Sequence, residues 1–523
     1  MTRRWTTGVH HWIFLAALAV VAGRIAVVRS ADGGTAMLSA NDRSRWATVA
    51  SLVEHGTYRI DRLVARVDPV HRNRRPFDSI DKVMHVGTDG KFHAYSSKPP
   101  LLATMVAAVY WPIHAATGLT ITRYPGYVPR LILAIVNLPT LAILFYATFA
   151  SIRPRLTDLW TRTYAAIAVA FGTMLTPMAV SLNNHLPAAA ATAVVLAIFL
   201  SRTWTPVRLF VAATAAALAV ACELPSLAML CLWSVMFSLV AAGWIGQHDD
   251  ASEPPRVARV LGTLAVVTGL VLVAAAFFGT NYIAHRSLRM PYAHRGNGAI
   301  IQTVDSLDEI DTNDWRMEPS DEPGRRRLWS TAGRPSRAVI ATDNGFEIRQ
   351  WDDWYEYPGS YWQDGNRRGV DRGEPNRLRY AMHMLIGHHG VLSITPIWIL
   401  SVAGTMLGLF RAGLRRLRID RHDAVILATA AVTTVCIAFY IARPEIDRNY
   451  GGVSSCFRWL LWLTPLWFHT AATTLQKFEH SASFRYLAAA LLAPSVFSAA
   501  IALDNPWQSP WIERWLTFLG YAI

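Results

Sequence analysis

Cysteine is scarce in this chain. Four occur among 523 residues: Cys222, Cys231 and Cys436 fall within or at the ends of apolar runs, and Cys456 falls in a short loop. No spacing among them suggests a zinc site or a disulfide framework. Charge is scarce too, at 16% against 52% hydrophobic residues, with mean hydropathy +0.24. There is no glycine-rich nucleotide loop, no Ser-His-Asp order, no internal repeat and no low-complexity tract. What is present instead is a series of long apolar runs over most of the length, which makes this a polytopic membrane protein. The net charge of +14 then reflects Arg-rich cytoplasmic loops, and no nucleic-acid partner is expected.

The first apolar run, Trp12 to Val28, follows Arg3 and Arg4. Arg24 interrupts it and no small-residue cleavage site follows, so it reads as a retained signal anchor. The pattern gives about eleven spans, at 11–28, 129–150, 161–180, 185–201, 206–222, 224–243, 258–281, 390–410, 423–442, 457–474 and 485–503. An inside N-terminus puts Arg153, Arg155, Arg162, Arg202, Arg208, Arg256, Arg259, Arg411, Arg415, Arg416, Arg418, Arg421, Lys477 and Arg485 on the inner side. Only the link holding Arg443 and Arg448 dissents. The expectation is a bacterial inner-membrane protein with a cytoplasmic N-terminus and a periplasmic C-terminus. Leu101 to Ala116 also looks like a span, but Pro99, Pro100, Pro112, Trp111 and His114 suit a re-entrant or surface-lying helix.

The fold expected is all-α and polytopic, with juxtamembrane helices and a soluble outer loop region. Residues 1–281 form a membrane domain holding a first outer loop at 29–99. Residues 282–389 form a large outer loop, and 390–523 the C-terminal membrane helices. Asn183-Asn184-His185, Glu223-Leu224-Pro225 and Asn449-Tyr450-Gly451-Gly452 also fall at outer span ends. Any chemistry therefore belongs to the outer face.

In the first outer loop, Trp46, Val49, Leu52 and Val53 share one face at helical spacing. Asn41 is the expected N-cap and Gly56 the stop. Asp42 then lies in the first turn, where the helix dipole favours the carboxylate. It reads either as a group that orients or deprotonates an acceptor or as a helix-stabilising acid. Further on, Tyr95-Ser96-Ser97-Lys98-Pro99-Pro100-Leu101 holds a cation beside two residues of fixed φ. Lys98 reads as a ligand for a lipid phosphate or as a snorkelling helix anchor. The cluster His71-Arg72-Asn73-Arg74-Arg75 is a basic rim for anionic headgroups or a solvated loop.

The order Asp42, Arg45, Trp46, Gly56 and Lys98 to Leu101 resembles the GT-C glycosyltransferases, and more closely the branch of the lipid A aminoarabinose transferase and the protein O-mannosyltransferases. The resemblance covers about the first hundred residues. It implies a GT-C-like membrane enzyme that takes a sugar from a polyprenyl-phosphate donor to a lipid, glycan or protein acceptor, among membrane lipids. It gives Asp42 the acceptor side and Lys98 the donor phosphate. The chain departs from the pattern where Arg43 replaces a second acid and where Asn183-Asn184-His185 replaces an expected acidic position.

Arg458, Arg74 and Arg75 are further candidates for the donor phosphate, Arg458 being equally an interfacial anchor with Trp459. Arg45, Tyr95, His185, Trp354 and Tyr450 are the expected substrate contacts. His185 also reads as a helix-end histidine. Trp354 belongs to Trp351-Asp352-Asp353-Trp354-Tyr355-Glu356-Tyr357, which suits sugar faces and hydroxyls or an ordinary small-domain core. His383, His388 and His389 match no zinc spacing, adjacent histidines do not easily share one tetrahedral ion, and no metal or other cofactor is expected. The flanking glycines, Gly387 and Gly390, suggest close backbone packing. The alternative function is a transporter or flippase of a lipid-linked sugar, for which Glu223 and Arg24 are the nearest ionisable candidates.

The topology is directly testable. In a chain freed of native cysteines, Thr120→Cys is expected to react with an impermeant thiol reagent from outside intact spheroplasts, and Arg415→Cys only after lysis. Protection of the first, with labelling in denaturant, would overturn the re-entrant assignment.

Overall fold

The computed structural model describes residues 8–31, 33–68, 72–242, 244–245, 256–320, 324–331, 336–363, 365–415 and 419–521. Arg3, Arg4, His71, Arg416 and Arg418 lie outside the described residues. Among the described residues, six helices are long and apolar enough to cross a membrane: Val9–Val27, Val128–Arg155, Leu224–Ala241, Val257–His285, Arg421–Ala442 and Ala482–Ala502. His185–Phe199, Pro206–Cys222 and Trp398–Gly413 are apolar but shorter. The chain is a mostly helical, multi-pass membrane protein. The expected spans 161–180 and 457–474 are broken helices. The first divides into Leu159–Phe171 and Leu175–Met178, and the second is a 3-10 turn, Arg458–Leu463, running into Thr464–Lys477.

The chain folds as two compact units. The first comprises Met1–Arg29, Arg130–Ala275 and Val370–Ile523. Its helices meet through small residues and hydroxyls. A Cβ added to Gly404 would collide with the Thr470 carbonyl, so the Trp398–Arg415 and Thr464–Lys477 helices touch backbone to backbone. Ser401 and Thr470 share a 2.7 Å hydrogen bond there, and Thr474 donates to the Leu400 carbonyl at 2.8 Å. These bonds fix register where apolar contact alone would let helices slide.

The second unit comprises Ser30–Pro129 and Ala276–Gly369. Its first helix, Ala40–His55, is capped by Ser39 and not by Asn41. The Ser39 hydroxyl accepts from the Asp42 N–H, and the Asp42 carboxylate accepts from the Leu38 N–H at 2.9 Å. This reciprocal arrangement is a capping box shifted by one residue, and it satisfies two orphan donors at once. Asn41 instead accepts from Arg45, one turn on. Gly56 ends the helix in the left-handed region at φ 66°, as expected.

A hairpin follows, β1 (Lys82–Val86) with β2 (Phe92–Ser96), in register Lys82↔Ser96 to Val86↔Phe92. The later segment, expected as an outer loop region, carries a sheet as well as short helical turns. It carries β3 (Asn297–Val304), β4 (Trp315–Pro319), β5 (Arg325–Ser330), β6 (Arg337–Thr342) and β7 (Gly345–Trp351), antiparallel in the order β3-β7-β6-β5-β4. An all-α reading contains neither sheet. The reason is that β5 buries arginines. Arg325 pairs with Asp353 and Glu356, and the Arg327 guanidinium lies 3.9 Å from the Trp329 ring and 3.8 Å from the Trp351 ring. Burial pushes Arg327 down to about 10, against the pull of the Glu356 carboxylate, and pushes the Asp353 carboxyl up, against the Arg325 charge.

The two parts of this unit are joined by a column of rings. His294 stacks on Trp354 at 3.6 Å, Trp354 on His85 at 4.1 Å, and His85 on Tyr95 at 4.2 Å. The Met84 N–H donates to the Trp354 carbonyl at 2.9 Å, and His85 Nε2 and His285 Nδ1 lie 3.0 Å apart in a shared hydrogen bond.

The column should be sensitive to acid. Burial pushes the His85 imidazole from 6.5 down to about 4, against the hydrogen bond to the Val86 carbonyl. Below pH 6.5 the unfolded chain takes a proton that the folded chain refuses, so stability falls as pH drops from 6.5 towards 4, by on the order of 2–3 kcal/mol. Thermal melts of wild type and His85→Gln across that window check this. The expected result is a smaller acid loss in the variant, and parallel profiles would reject it.

Candidate functional site

In the second unit a small, partly open cleft, with room for about one water molecule, lies at the start of the Pro100–Thr117 helix. Arg45, Tyr58, Tyr95, Lys98, Pro99 and His285 are among its lining residues. Pro99 occupies the N-cap with φ −52° and ψ 133°, and no side chain caps the helix. Pro100 at the first helical position has no N–H to lose. The following N–H groups and the positive end of the helix dipole are directed toward the cleft end of an 18-residue helix. Such a helix start is suited to an anion.

Two cations accompany it. Lys98 Nζ lies 3.2 Å from Asp81, with the Lys98 side chain 22% exposed and that of Asp81 10% exposed. The Lys98 N–H donates to Ser96 Oγ at 3.1 Å, so its backbone is held as well as its ammonium. Arg45 is buried and directed by Asn41. Asp81 is in turn fixed by the hairpin: the Ser97 N–H and the Ser44 hydroxyl both donate to its carbonyl, at 3.1 and 2.5 Å.

Asp42 is fully buried one turn before Arg45 on the same helix, with one oxygen on the Leu38 N–H. Tyr95 lines the cleft edge but is buried against His85. Trp354 is buried, covered by His294 and His85, and lies outside the cleft lining. Arg74 and Arg75 are exposed and do not line it. Asp81 and His285 had no sequence signal: neither stands in a motif, and only the fold brings them to Lys98 and Tyr95.

The remaining candidates, His185, Arg458 and Tyr450, belong to the first unit. His185 Nδ1 pairs with the Glu223 carboxylate and its Nε2 lies 2.8 Å from the Arg458 guanidinium. Asn184 also donates to Glu223, at 2.6 Å. Arg458 donates to the Gly451 carbonyl at 2.6 Å and lies 4.9 Å over the Trp507 ring. Glu223 thus supplies a carboxylate beside Asn183-Asn184-His185, from a turn nearly forty residues on. Tyr450, at φ 54°, stacks on His389 at 4.8 Å and opens a left-handed turn continued by Gly451 and Gly452.

This cluster is tightly buried: Glu223 is 5% and His185 1% exposed. Removing the carboxylate leaves its donors stranded. Glu223→Ala is expected to cost about 3 kcal/mol, and Glu223→Gln less, because the amide keeps one acceptor oxygen. Thermal midpoints of the detergent-solubilised variants check the order. Equal midpoints for Ala and wild type would show that the cluster carries no stability.

No family model and no curated protein matches the chain. Among solved structures it is similar to the crystal structure of the Archaeoglobus fulgidus oligosaccharyltransferase in complex with Zn and sulfate, with TM-score 0.41, 12% identity, and coverage of 94% of this chain and 53% of that one. It is also similar to archaeal oligosaccharyltransferase AglB from Archaeoglobus fulgidus in complex with an inhibitory peptide and a dolichol-phosphate, with TM-score 0.40, 12% identity, and coverage of 97% and 57%. The chain spans little more than half the length of either.

Proposed function

We propose that the chain is an integral membrane glycosyltransferase of the GT-C type. It moves a sugar from a polyprenyl-phosphate donor to a lipid, glycan or protein acceptor on the outer face of the bacterial inner membrane. The observation that supports this is the convergence of Lys98, Arg45 and an uncapped helix start on one cleft. A phosphate leaving group needs that set: two cations and aligned N–H groups stabilise the charge that develops as the anomeric bond breaks. Lys98 would exchange Asp81 for a phosphate oxygen. Asp42 would serve the acceptor hydroxyl, after releasing the Leu38 N–H. The apolar Pro100–Thr117 helix would border the lipid tail.

A flippase is the alternative, drawing on Glu223 as an ionisable group at a span end. Its contacts argue for a fixed role: His185 and Asn184 hold it within a buried cluster.

The test pairs donor binding with transfer on the same purified protein, using a panel of polyprenyl-phosphate sugars. Lys98→Ala is expected to abolish transfer and weaken binding, with Lys98→Arg rescuing only in part because the fork geometry differs. Asp42→Asn is expected to bind normally but to lose about 10²–10⁴-fold in rate. Normal transfer by Lys98→Ala would reject the cleft. Normal transfer by Asp42→Asn with a lowered melting temperature would reduce Asp42 to its capping role. A wild-type protein that moves the lipid across vesicles without cleaving it would favour the flippase.

A further inference from the structure

Adjacent histidines rarely aim the same nitrogen at one point. In Gly387-His388-His389-Gly390 they do. His388 is 5% and His389 1% exposed, and their Nδ1 atoms lie 2.6 Å apart. At that separation both nitrogens cannot carry a proton toward each other, so at least one lone pair faces the gap. The turn is enforced by the glycines. A Cβ on Gly387 would lie 2.5 Å from His383 Nδ1, and one on Gly390 would lie 2.8 Å from the Ile386 nitrogen.

The third group comes from far along the chain. Glu513, on the Trp511–Phe518 helix, places Oε2 3.7 Å from each of the two Nδ1 atoms. Its other oxygen accepts from the Ser509 hydroxyl at 3.0 Å, which turns Oε2 toward the histidines. Oε2 is buried and has no hydrogen-bond partner among the described residues. The three separations define a point about 2.0 Å from all three atoms, the length of a zinc–imidazole or zinc–carboxylate bond, and it lies in their plane, so a tetrahedral ion needs the two rings to part by a few tenths of an ångström. The surroundings are rigid. Tyr450 stacks on His389, the Phe457 N–H donates to the His389 carbonyl at 3.2 Å, and the His383 ring lies 4.1 Å from that of His388.

We propose that His388, His389 and Glu513 bind one divalent transition-metal ion of the zinc class. Two nitrogens and one carboxylate oxygen suit that class, whereas magnesium and calcium take oxygen ligands. The ion links the turn before the Trp398–Arg415 helix to the Trp511–Phe518 helix. It is independent of the donor cleft, so it stands or falls separately from the glycosyltransferase reading.

The probe is zinc chloride alone, added to the chelator-stripped full chain in detergent. The readouts are retained zinc per chain after desalting, affinity by competition with a chromophoric chelator, and the shift in melting temperature. The wild type is expected to retain one equivalent and to melt higher with zinc. Glu513→Gln and His389→Ala are expected to lose at least about tenfold in affinity and the thermal shift. His480→Ala, at an exposed histidine, is expected to keep both. Glu513→Gln preserves size and the Ser509 contact, so it decides the matter if His389→Ala does not fold. Zinc retention and shift unchanged in Glu513→Gln, or no retention by the wild type, would overturn the proposal.

Discussion

The contact of His85 with Trp354 is the one on which the second unit depends. That unit is made of two stretches, Ser30–Pro129 and Ala276–Gly369, far apart in sequence. The second stretch packs a core of its own around Val304, Leu328, Val339 and Ile348, and a further core, with Val83 and Tyr95 against Ala338, Trp351 and Trp354, draws on both. The first offers a two-stranded hairpin, too small to be stable by itself, and the second a sheet whose inner strand carries arginines. The ring column through Trp354, His85 and Tyr95 supplies the non-local contact, each stacked pair adding about 0.5–1.5 kcal/mol beyond simple burial. β2 runs directly from that column into Ser97 and Lys98. The position of the cationic cleft is therefore inherited from the column. This also explains why Trp354 and Tyr95 are not open sugar platforms: their faces are spent on holding the cleft in place.

Much of the helical framework was legible because lipid-facing segments must be apolar along their whole length. The helix after the first span was legible at Gly56, where only the left-handed region ends it cleanly. Its start was harder. Ser39 and Asn41 are both good caps, and only the reach of Asp42 back to Leu38 decides between them. The sheet was hidden for a different reason. A strand is read from alternating apolar and polar residues, and β5 alternates between buried and exposed arginines. Arg327 is buried because aromatic rings and a carbonyl accept its guanidinium, which the pattern scores as polar.

The candidate site shows the same division. Lys98 was singled out because prolines fix it locally and Arg45 because of the motif resemblance, and both line the cleft. Arg74 and Arg75 carry the right charge, but they stand exposed and do not line the cleft. His185 was ambiguous because its meaning lies in Glu223 and Arg458, which approach only through folding. The same holds for His388 and His389. Their spacing matches no zinc pattern because the third donor, Glu513, sits more than a hundred residues downstream.

Which cation can serve a ligand follows from how each is neutralised. Arg325 is 3% exposed and shared by Asp353 and Glu356, so withdrawing it would strand two buried carboxylates at a cost of about 3–5 kcal/mol. Arg458 is tied to His185, Gly451 and Trp507 at once, and moving it would undo a loop already held at positive φ. Lys98 differs. Its contact with Asp81 is a 3.2 Å ammonium–carboxylate pair at a partly open cleft, and its side chain is the more exposed of the two. Asp81 is itself buried, at 7% exposed, so its carboxylate must keep a partner when Lys98 turns to a ligand. Exchanging Asp81 for a phosphate oxygen beside an uncapped helix start costs that carboxylate its cation and gains a second source of positive potential. Of these three ion-paired cations, Lys98 is the one that lines the cleft.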